Sequence, residues 1–243
     1  MAEGEAGEPG RSHYAVAGRS GAAGDVTVRR RRGAIAELGE ALRGLIEQAV
    51  ATEVPEEDLH RVAEQIREAT TQLSGQARGR AQLPSADDLL DGIRMYNPVT
   101  GSGNGLAPPL HIEIAGDTAV GTCTLGLAYE GPPTCAHGGV SAMLLDQLLG
   151  YATSAAGHPG MTVQLDATYR APVPLQTPLR LTAWVTGVNG RRVTARGAIA
   201  TAAEPDTVLV EASGIFVGLR PEQAARLFGA VHPDAADPAV GHD

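Results

Sequence analysis

The chain reads His-Gly-Gly-Val-Ser-Ala-Met-Leu-Leu-Asp from His137 to Asp146. Apolar residues continue to Ala152 almost without interruption, which predicts a helix surrounded by other structure on nearly every side. Gly138 and Gly139 open this helix and leave backbone N–H groups uncovered where the helix dipole attracts negative charge. Asp146 is the lone carboxylate of the helix, so we expect a buried acid with a chemical role.

Gly138 and Asp146 are too far apart to act on one small group within a single helix. Eight residues separate them, and a rise of about 1.5 Å per residue places them roughly 12 Å apart along the axis. If both act on one carbonyl, Asp146 must come from a second copy of the helix that runs antiparallel to the first. A two-fold dimer supplies such a pair. We therefore expect a homodimer or a dimer-of-dimers tetramer.

Short β-prone segments flank the central helix. They are predicted at residues 110–115, 118–129, 162–170, 179–188, 192–203 and 208–219. Apolar side chains alternate from Val163 to Tyr169, which is typical of a strand. Asn189-Gly190 is a strong signal for a hairpin turn. We predict that the four strands after the helix form an antiparallel meander, and that a six-stranded antiparallel sheet curls around the helix in an α+β fold.

Two amphipathic helices are predicted ahead of the sheet. Apolar residues recur at intervals of three and four from Ile35 to Ile46, and again from Leu59 to Leu73. Pro55 and the acidic residues that follow it suit the start of the second helix. The resulting division is a disordered head over 1–32, a helical hairpin or lid over 33–80, a linker over 81–109, the sheet domain over 110–228 and a flexible tail over 229–243.

Composition excludes several classes of function. The net charge of −9 argues against a nucleic-acid binder held by phosphate neutralisation. Cys123 and Cys135 stand twelve residues apart with no further metal-ligand spacing, so we expect neither a metal site nor a disulfide. We expect the protein to lie in a reducing cytoplasm. The sequence contains no run of 18 apolar residues, so we expect no membrane span.

The chain from Leu110 to Leu219 resembles the hotdog-fold acyl-CoA thioesterases, and most of all the branch of the phenylacetate-pathway thioesterase and thioesterase superfamily member four. Four elements carry the resemblance in order: His137-Gly138-Gly139 with Asp146 nine residues after the histidine, Thr162 sixteen residues after the aspartate, Tyr169-Arg170-x-Pro172-x-Pro174, and Gly190-Arg191. The resemblance implies a sheet wrapped around the central helix, an acyl-CoA substrate and no cofactor.

The resemblance also implies roles for the residues of the central helix. Asp146 would be the general base that activates water or the nucleophile on the thioester carbon, and both roles stay open. Gly138, beside Gly139, would donate its N–H to the oxyanion in the partner subunit's site. His137 would orient the loop before the helix, and Thr162 would hold the attacking water.

Three further residues match positions that contact the coenzyme A portion in similar proteins, namely Thr168, Arg170 and Arg191. Two arginines near a phosphate-bearing ligand make physical sense. The chain departs from the phenylacetate-type pattern in the loop from Tyr129 to Ala136, which lacks the Asn or Gln found there. We therefore expect the oxyanion to be stabilised by backbone groups alone.

Two classes of function follow. The leading hypothesis is hydrolysis of an acyl-CoA thioester to a carboxylate and free coenzyme A. The second is a non-catalytic module that binds or senses acyl-CoA, with the helical extension relaying occupancy, because a fold alone does not establish catalysis. A hotdog hydratase is a weaker third option, since it needs an Asp and a His close together on one loop or strand–helix junction.

Overall fold

The computed structural model describes residues 22–79, 82–88, 92–108 and 110–228. The helices and strands are, in chain order, α1 (Ala22–Ala51), α2 (Glu56–Leu73), β1 (His111–Ala115), β2 (Thr118–Thr124), a 3-10 helix (Leu127–Tyr129), α3 (Gly138–Ala155), β3 (Met161–Tyr169), β4 (Pro178–Asn189), β5 (Arg192–Thr201), β6 (Val210–Val217) and α4 (Pro221–Phe228). The predicted tail, 229–243, lies outside the described residues.

A six-stranded antiparallel sheet wraps around α3. The strand order is β1-β2-β4-β5-β6-β3, and α3 contacts all six strands. Leu144, Leu145, Leu148 and Leu149 are fully buried on α3. Burial of a leucine side chain contributes about 1.5–3 kcal/mol, so this helix is the centre of the core. The prediction of a sheet curled around an apolar helix is confirmed.

The prediction that the four strands after α3 form a meander is wrong for the first of them, β3. β4, β5 and β6 pair in sequence order, but β3 pairs with β6 and forms an edge of the sheet, while β4 pairs with β2. The connection from β3 to β4 contains Pro172 and Pro174. Proline cannot donate to a strand ladder, so this segment is unsuited to a tight hairpin that would return β3 onto β4.

The predicted strand at 118–129 ends earlier than expected, at Thr124. The chain turns into the 3-10 helix because Glu47 of α1 accepts hydrogen bonds from the backbone N–H groups at its start. These bonds come from Leu127, at 2.8 Å, and from Ala128, at 3.3 Å. A distant side chain therefore ends the strand.

α1 packs against the rest of the protein from Arg32 to Glu47. Arg43 Nη1 donates to the carbonyl oxygens of Ser102 and Asn104, at 2.9 and 3.1 Å. Gly39 is buried, and a Cβ there would lie 2.1 Å from the Ser102 carbonyl oxygen. Since α1 begins at Ala22, the predicted disorder is wrong for residues 22–32. The rest of that predicted head lies outside the described residues.

The predicted hairpin of α1 and α2 does not form a shared apolar seam. The apolar face of α1 lies against the loop around Gly103 and Gly105, with Ile35 and Leu42 beside these glycines. α2 buries none of its residues. The two helices are therefore present where the sequence placed them, but only the first packs on the domain.

The segment predicted as a linker is a packed part of the structure. Residues 82–88 and 92–108 contain no regular helix or strand, as expected. Ala86, Met95 and Val99 are nevertheless buried, and Val99 belongs to the main core. Within the described part of the chain, no helix has the length and apolar character needed to cross a membrane.

Candidate active site

His137 caps the N-terminus of α3. Its backbone is extended, and its ring Nδ1 accepts a hydrogen bond from the N–H of Gly139 at 3.0 Å. Its carbonyl oxygen accepts from the N–H of Val140 at 2.9 Å. The expectation that both glycines leave their N–H groups uncovered is therefore wrong for Gly139, because the histidine side chain occupies that donor.

The N–H of Gly138 remains uncommitted at this helix terminus. No acceptor among the described residues is bonded to it. The carbonyl of the same residue accepts a 2.9 Å hydrogen bond from Tyr169 Oη at the end of β3. The tyrosine ring lies so close that a Cβ on Gly138 would be 3.3 Å from it. One free N–H donor therefore lies at the positive end of the helix dipole, and the carbonyl group of the same residue is held by the tyrosine hydroxyl.

A cavity of about 390 Å³ adjoins Gly138. Ser141, Tyr169 and Arg170 contribute polar side chains to its wall, and Cys135 contributes a thiol. Ser141 is only 1 % exposed, so the cavity reaches down to the first turn of α3. A ligand in this cavity would meet the free N–H donor.

The loop before α3 holds His137 in place. Its N–H donates to the Tyr129 carbonyl oxygen at 2.9 Å, and the neighbouring Ala136 N–H donates to Val173 at 2.8 Å. Gly131 passes directly beside the histidine, where a Cβ would lie 2.7 Å from the His137 Cα. The Gly131 position therefore excludes a side chain, and the cap geometry depends on this close approach.

Asp146 lies near the middle of α3 and contacts the start of β3. Its Oδ1 accepts a hydrogen bond from Thr162 Oγ1 at 2.8 Å. The carboxyl group is half-buried rather than buried as expected, because β3 is an edge strand and leaves this side of α3 open. The neighbouring Gln147 accepts a 3.1 Å hydrogen bond from Asn97 Nδ2, which ties the packed loop to the same part of α3.

The three residues expected to contact coenzyme A do not come together within one chain. Thr168 and Arg170 lie at the end of β3, where Arg170 forms an ion pair with Glu211. Arg191 lies at the other end of β6, where its Nη1 donates to the Gly218 carbonyl oxygen at 2.7 Å. Leu209, whose carbonyl oxygen accepts from the Arg170 N–H, and Gly218 are nine residues apart. Along an extended strand this corresponds to roughly 30 Å.

The candidate residues thus form two groups at opposite ends of β3. We call the first the glycine end, which contains Gly138, Tyr169 and Arg170. We call the second the aspartate end, which contains Asp146 and Thr162. Arg191 lies beside the aspartate end and lines a second cavity of about 280 Å³ together with Met161. Within the described ranges, His, Cys, Asp and Glu side chains form no group of three that could hold a metal ion.

The sequence did not indicate the contact between Tyr169 and Gly138. In the sequence, Tyr169 is only part of a motif and one of the alternating apolar residues of a strand. An aromatic residue with a polar tip at the end of a strand was the single available signal, since a tyrosine hydroxyl usually finds a partner when its ring packs. Glu47 gives no signal in the sequence, because a glutamate is an ordinary residue in a helical pattern and its partners, Leu127 and Ala128, lie about 80 residues away.

The fold is that of a hotdog thioesterase. Residues 135–207 match the family model of the Thioesterase superfamily. The crystal structure of a thioesterase superfamily protein is 38 % identical, covers 75 % of this chain and 94 % of its own, and superposes with a TM-score of 0.67. The chain belongs to the thioesterase superfamily.

Two curated relatives carry the name acyl-coenzyme A thioesterase THEM4. The Mus musculus protein is 31 % identical over 98 residues, which is 40 % of this chain and 42 % of the relative. The Bos taurus protein is 30 % identical over 100 residues, 41 % of this chain and 40 % of the relative. The chain thus matches about two fifths of the length of each.

Proposed function

We propose that this protein hydrolyses acyl-CoA thioesters to a carboxylate and free coenzyme A. The observation that carries the proposal is that one helix bears both a carboxylate bonded to Thr162 and the free N–H of Gly138. Membership of the thioesterase superfamily supports it, and so do the two relatives named as acyl-coenzyme A thioesterases.

In the proposed reaction, Asp146 acts on the thioester carbonyl carbon in one of two ways. As a general base it takes a proton from water while the water oxygen bonds to the carbon, and the carbon–sulfur bond then breaks as the leaving sulfur takes that proton from Asp146, which releases the thiol. As a nucleophile its oxygen bonds to the carbon, the carbon–sulfur bond breaks and coenzyme A leaves as the thiolate, and water then cleaves the mixed anhydride to the carboxylate product and free Asp146. In both cases Thr162 orients the carboxylate through Oδ1 and leaves Oδ2 free to react.

Gly138 supplies the complementary group. The negative charge that develops on the carbonyl oxygen is stabilised by its N–H and by the dipole of α3. Removal of one such donor costs about 10² to 10³ in rate in enzymes where it has been measured. His137 supports this donor indirectly, because its ring bonds the neighbouring Gly139 N–H and caps the helix.

A homodimer assembled through β3 would complete the site, either alone or within a tetramer. β3 is an edge strand with Met161 and Val163 about half exposed, so it offers unpaired backbone groups and apolar side chains to a second copy. Antiparallel pairing centred on Leu165 lays Thr162 of one copy opposite Thr168 of the other. The aspartate end of each copy then meets the glycine end of its partner.

The same pairing would bring Arg191 of one copy towards Arg170 of the other. Within one chain these two arginines lie at opposite ends of β6. Together they offer two guanidinium groups to the phosphates of coenzyme A, a charge-assisted contact that one chain does not assemble. The free thiols of Cys123 and Cys135 suit a reducing compartment, and we place the reaction in the cytoplasm.

A thiol-release assay with a panel of acyl-CoA thioesters tests the proposal. We expect turnover by the wild type and a loss of about 10² to 10⁴ in kcat for Asp146→Ala. Asp117→Ala is the matched control, because Asp117 is an exposed carboxylate in the turn between β1 and β2, away from β3. Equal turnover by wild type and Asp146→Ala would remove Asp146 from the mechanism.

The alternative function, a non-catalytic acyl-CoA binding module, is favoured by the packing of α1 on the loop that contacts α3 beside Asp146. Calorimetry with the same acyl-CoA panel separates the two functions. Tight binding without thioester cleavage over hours would support the module and contradict the enzyme.

A further inference from the structure

Helix α2 carries an apolar seam that the rest of the described chain leaves uncovered. The seam consists of Leu59, Val62, Ile66, Ala69 and Leu73, which follow one another at intervals of three, four, three and four residues. Its four large side chains are 39 to 58 % exposed. Most of the stability of a helix in a protein comes from packing an amphipathic face, so α2 lacks its expected partner surface.

We propose that the seam of α2 packs against the α2 seam of a second copy of this chain. Alternating intervals of three and four residues give a period of 3.5, which is the pattern of two helices that wind around each other in a coiled coil. A single buried face on a globular domain follows a 3.6-residue period and is broader. The spacing therefore favours another helix of the same pattern as the occupant.

The charges on α2 are arranged to permit self-association. From Val62 to Leu73, the positions that flank the seam are uncharged, namely Ala63, Gln65, Thr70 and Gln72. Two copies can therefore approach along this length without placing like charges beside each other. Arg67 and Glu64 form an ion pair at 2.7 Å on the opposite side of the helix, where it does not interfere with the seam.

The same charges argue against a lipid surface as the occupant. Helices that lie on anionic membranes carry Lys and Arg on their polar face. The polar face of α2 instead carries five carboxylates, Glu56, Glu57, Asp58, Glu64 and Glu68, against two arginines. An anionic membrane would repel this face, whereas the apolar seam of a second copy carries no charge.

Thiol cross-linking of the full-length chain tests the proposal. Ile66→Cys places a thiol at the centre of the seam, and Glu64→Cys places one on the outer face of the same helix as the matched control. Wild type, with Cys123 and Cys135, gives the background. With a short bismaleimide we expect a covalent dimer of Ile66→Cys, and only background for Glu64→Cys. Equal cross-linking of the two variants would overturn the proposal.

A second variant tests whether the seam itself holds the copies together. We expect Leu59→Glu, combined with Ile66→Cys, to weaken association through α2 by about tenfold or more, because a charged group then replaces an apolar contact. Leu59 is exposed in the single chain, so the substitution leaves the fold intact. An unchanged cross-linking yield would contradict the proposal. It would also be contradicted if Ile66→Cys did not cross-link and if wild type, but not Leu59→Glu, sedimented with anionic phosphatidylserine vesicles.

Discussion

Thr162 Oγ1 donates a 2.8 Å hydrogen bond to Asp146 Oδ1 and so joins the edge strand β3 to the middle of α3. The bond fixes the carboxylate on a half-exposed side of the helix, where its second oxygen has no protein donor among the described residues. A carboxylate that is held through one oxygen and keeps the other oxygen free is suited to accept a proton or to attack an electrophile.

Removal of this hydrogen bond should reduce turnover without unfolding the protein. We expect Thr162→Val to lower kcat about tenfold, since the carboxylate loses its orienting donor, which is worth about 1 kcal/mol or more. Thr162→Ser keeps the hydroxyl and should retain most of the activity. Steady-state kinetics with urea unfolding of each variant checks the result, and a Thr162→Val protein as active as wild type would show that the bond has no part in the reaction.

The contact between Tyr169 and Gly138 should affect kcat more than KM. We expect Tyr169→Phe to lower kcat about three- to tenfold, because loss of the hydroxyl frees the Gly138 carbonyl that it holds while the ring still fills the cavity wall. KM should stay close to the wild-type value. A rise in KM at constant kcat would instead indicate that Tyr169 only binds substrate. Tyr151→Phe serves as the control, because Tyr151 lies near the C-terminal end of α3, far from Gly138 at its start.

The cap at His137 should contribute to stability as well as to the site. We expect His137→Ala to lower the free energy of unfolding by about 1 kcal/mol, the typical value of an N-cap side chain. For a chain of this size that corresponds to a fall in Tm of about 2–4 °C. Asn is a good N-cap residue, so His137→Asn should recover most of the loss. A thermal melt in which Ala and Asn behave alike would contradict the capping role.

The two cysteines should differ in reactivity. Burial raises the pKa of the Cys123 thiol to about 12 from its ordinary value of 9.0. Because the thiolate is the reactive form, we expect Cys123 to resist Ellman's reagent at pH 8 in the folded protein, while Cys135 in the cavity wall reacts. Urea should expose both. Cys135→Ser should abolish the native reaction, and a fast reaction that survives this change would contradict the burial of Cys123.

The same shift in pKa predicts how stability depends on pH. The unfolded chain releases the Cys123 proton near pH 9, whereas the folded chain keeps it until about pH 12. The unfolded state therefore binds fewer protons in this interval, and the free energy of unfolding should fall as the pH rises from 9 towards 12. Urea unfolding at pH 8 and pH 10 measures the fall, which should be smaller in Cys123→Ala.

Local patterns predicted the elements of this fold better than their pairing. The apolar run after His137 predicted α3, and Asn189-Gly190 predicted the turn between β4 and β5, where Gly190 has a φ of 58°. Pro172 and Pro174 disfavour a hairpin between β3 and β4, but the pairing of β3 with β6 depends on contacts between distant segments, which neighbouring residues do not encode. The end of β2 is a similar case, since it depends on Glu47, about 80 residues away in the sequence.

The candidate site was predictable to the extent that its residues share intervals along the chain. The sixteen-residue interval indicated that Asp146 and Thr162 belong together, and they form a direct bond. The occupation of the Gly139 N–H by the His137 ring was not predictable, because it depends on the rotamer of one side chain. The same holds for the placement of Arg170 and Arg191, which follows from the sheet order.

The close approach of Gly39 to the Ser102 carbonyl oxygen limits how α1 can move along its neighbour. A helix that slides by one turn along its neighbour needs a surface that accepts several side chains in succession, and this contact accepts none larger than hydrogen. Arg43 and Glu47 fix the same register from the next two turns. These contacts hold α1 at one position along the loop at 92–108, and Asn97 of that loop is bonded to Gln147 of α3.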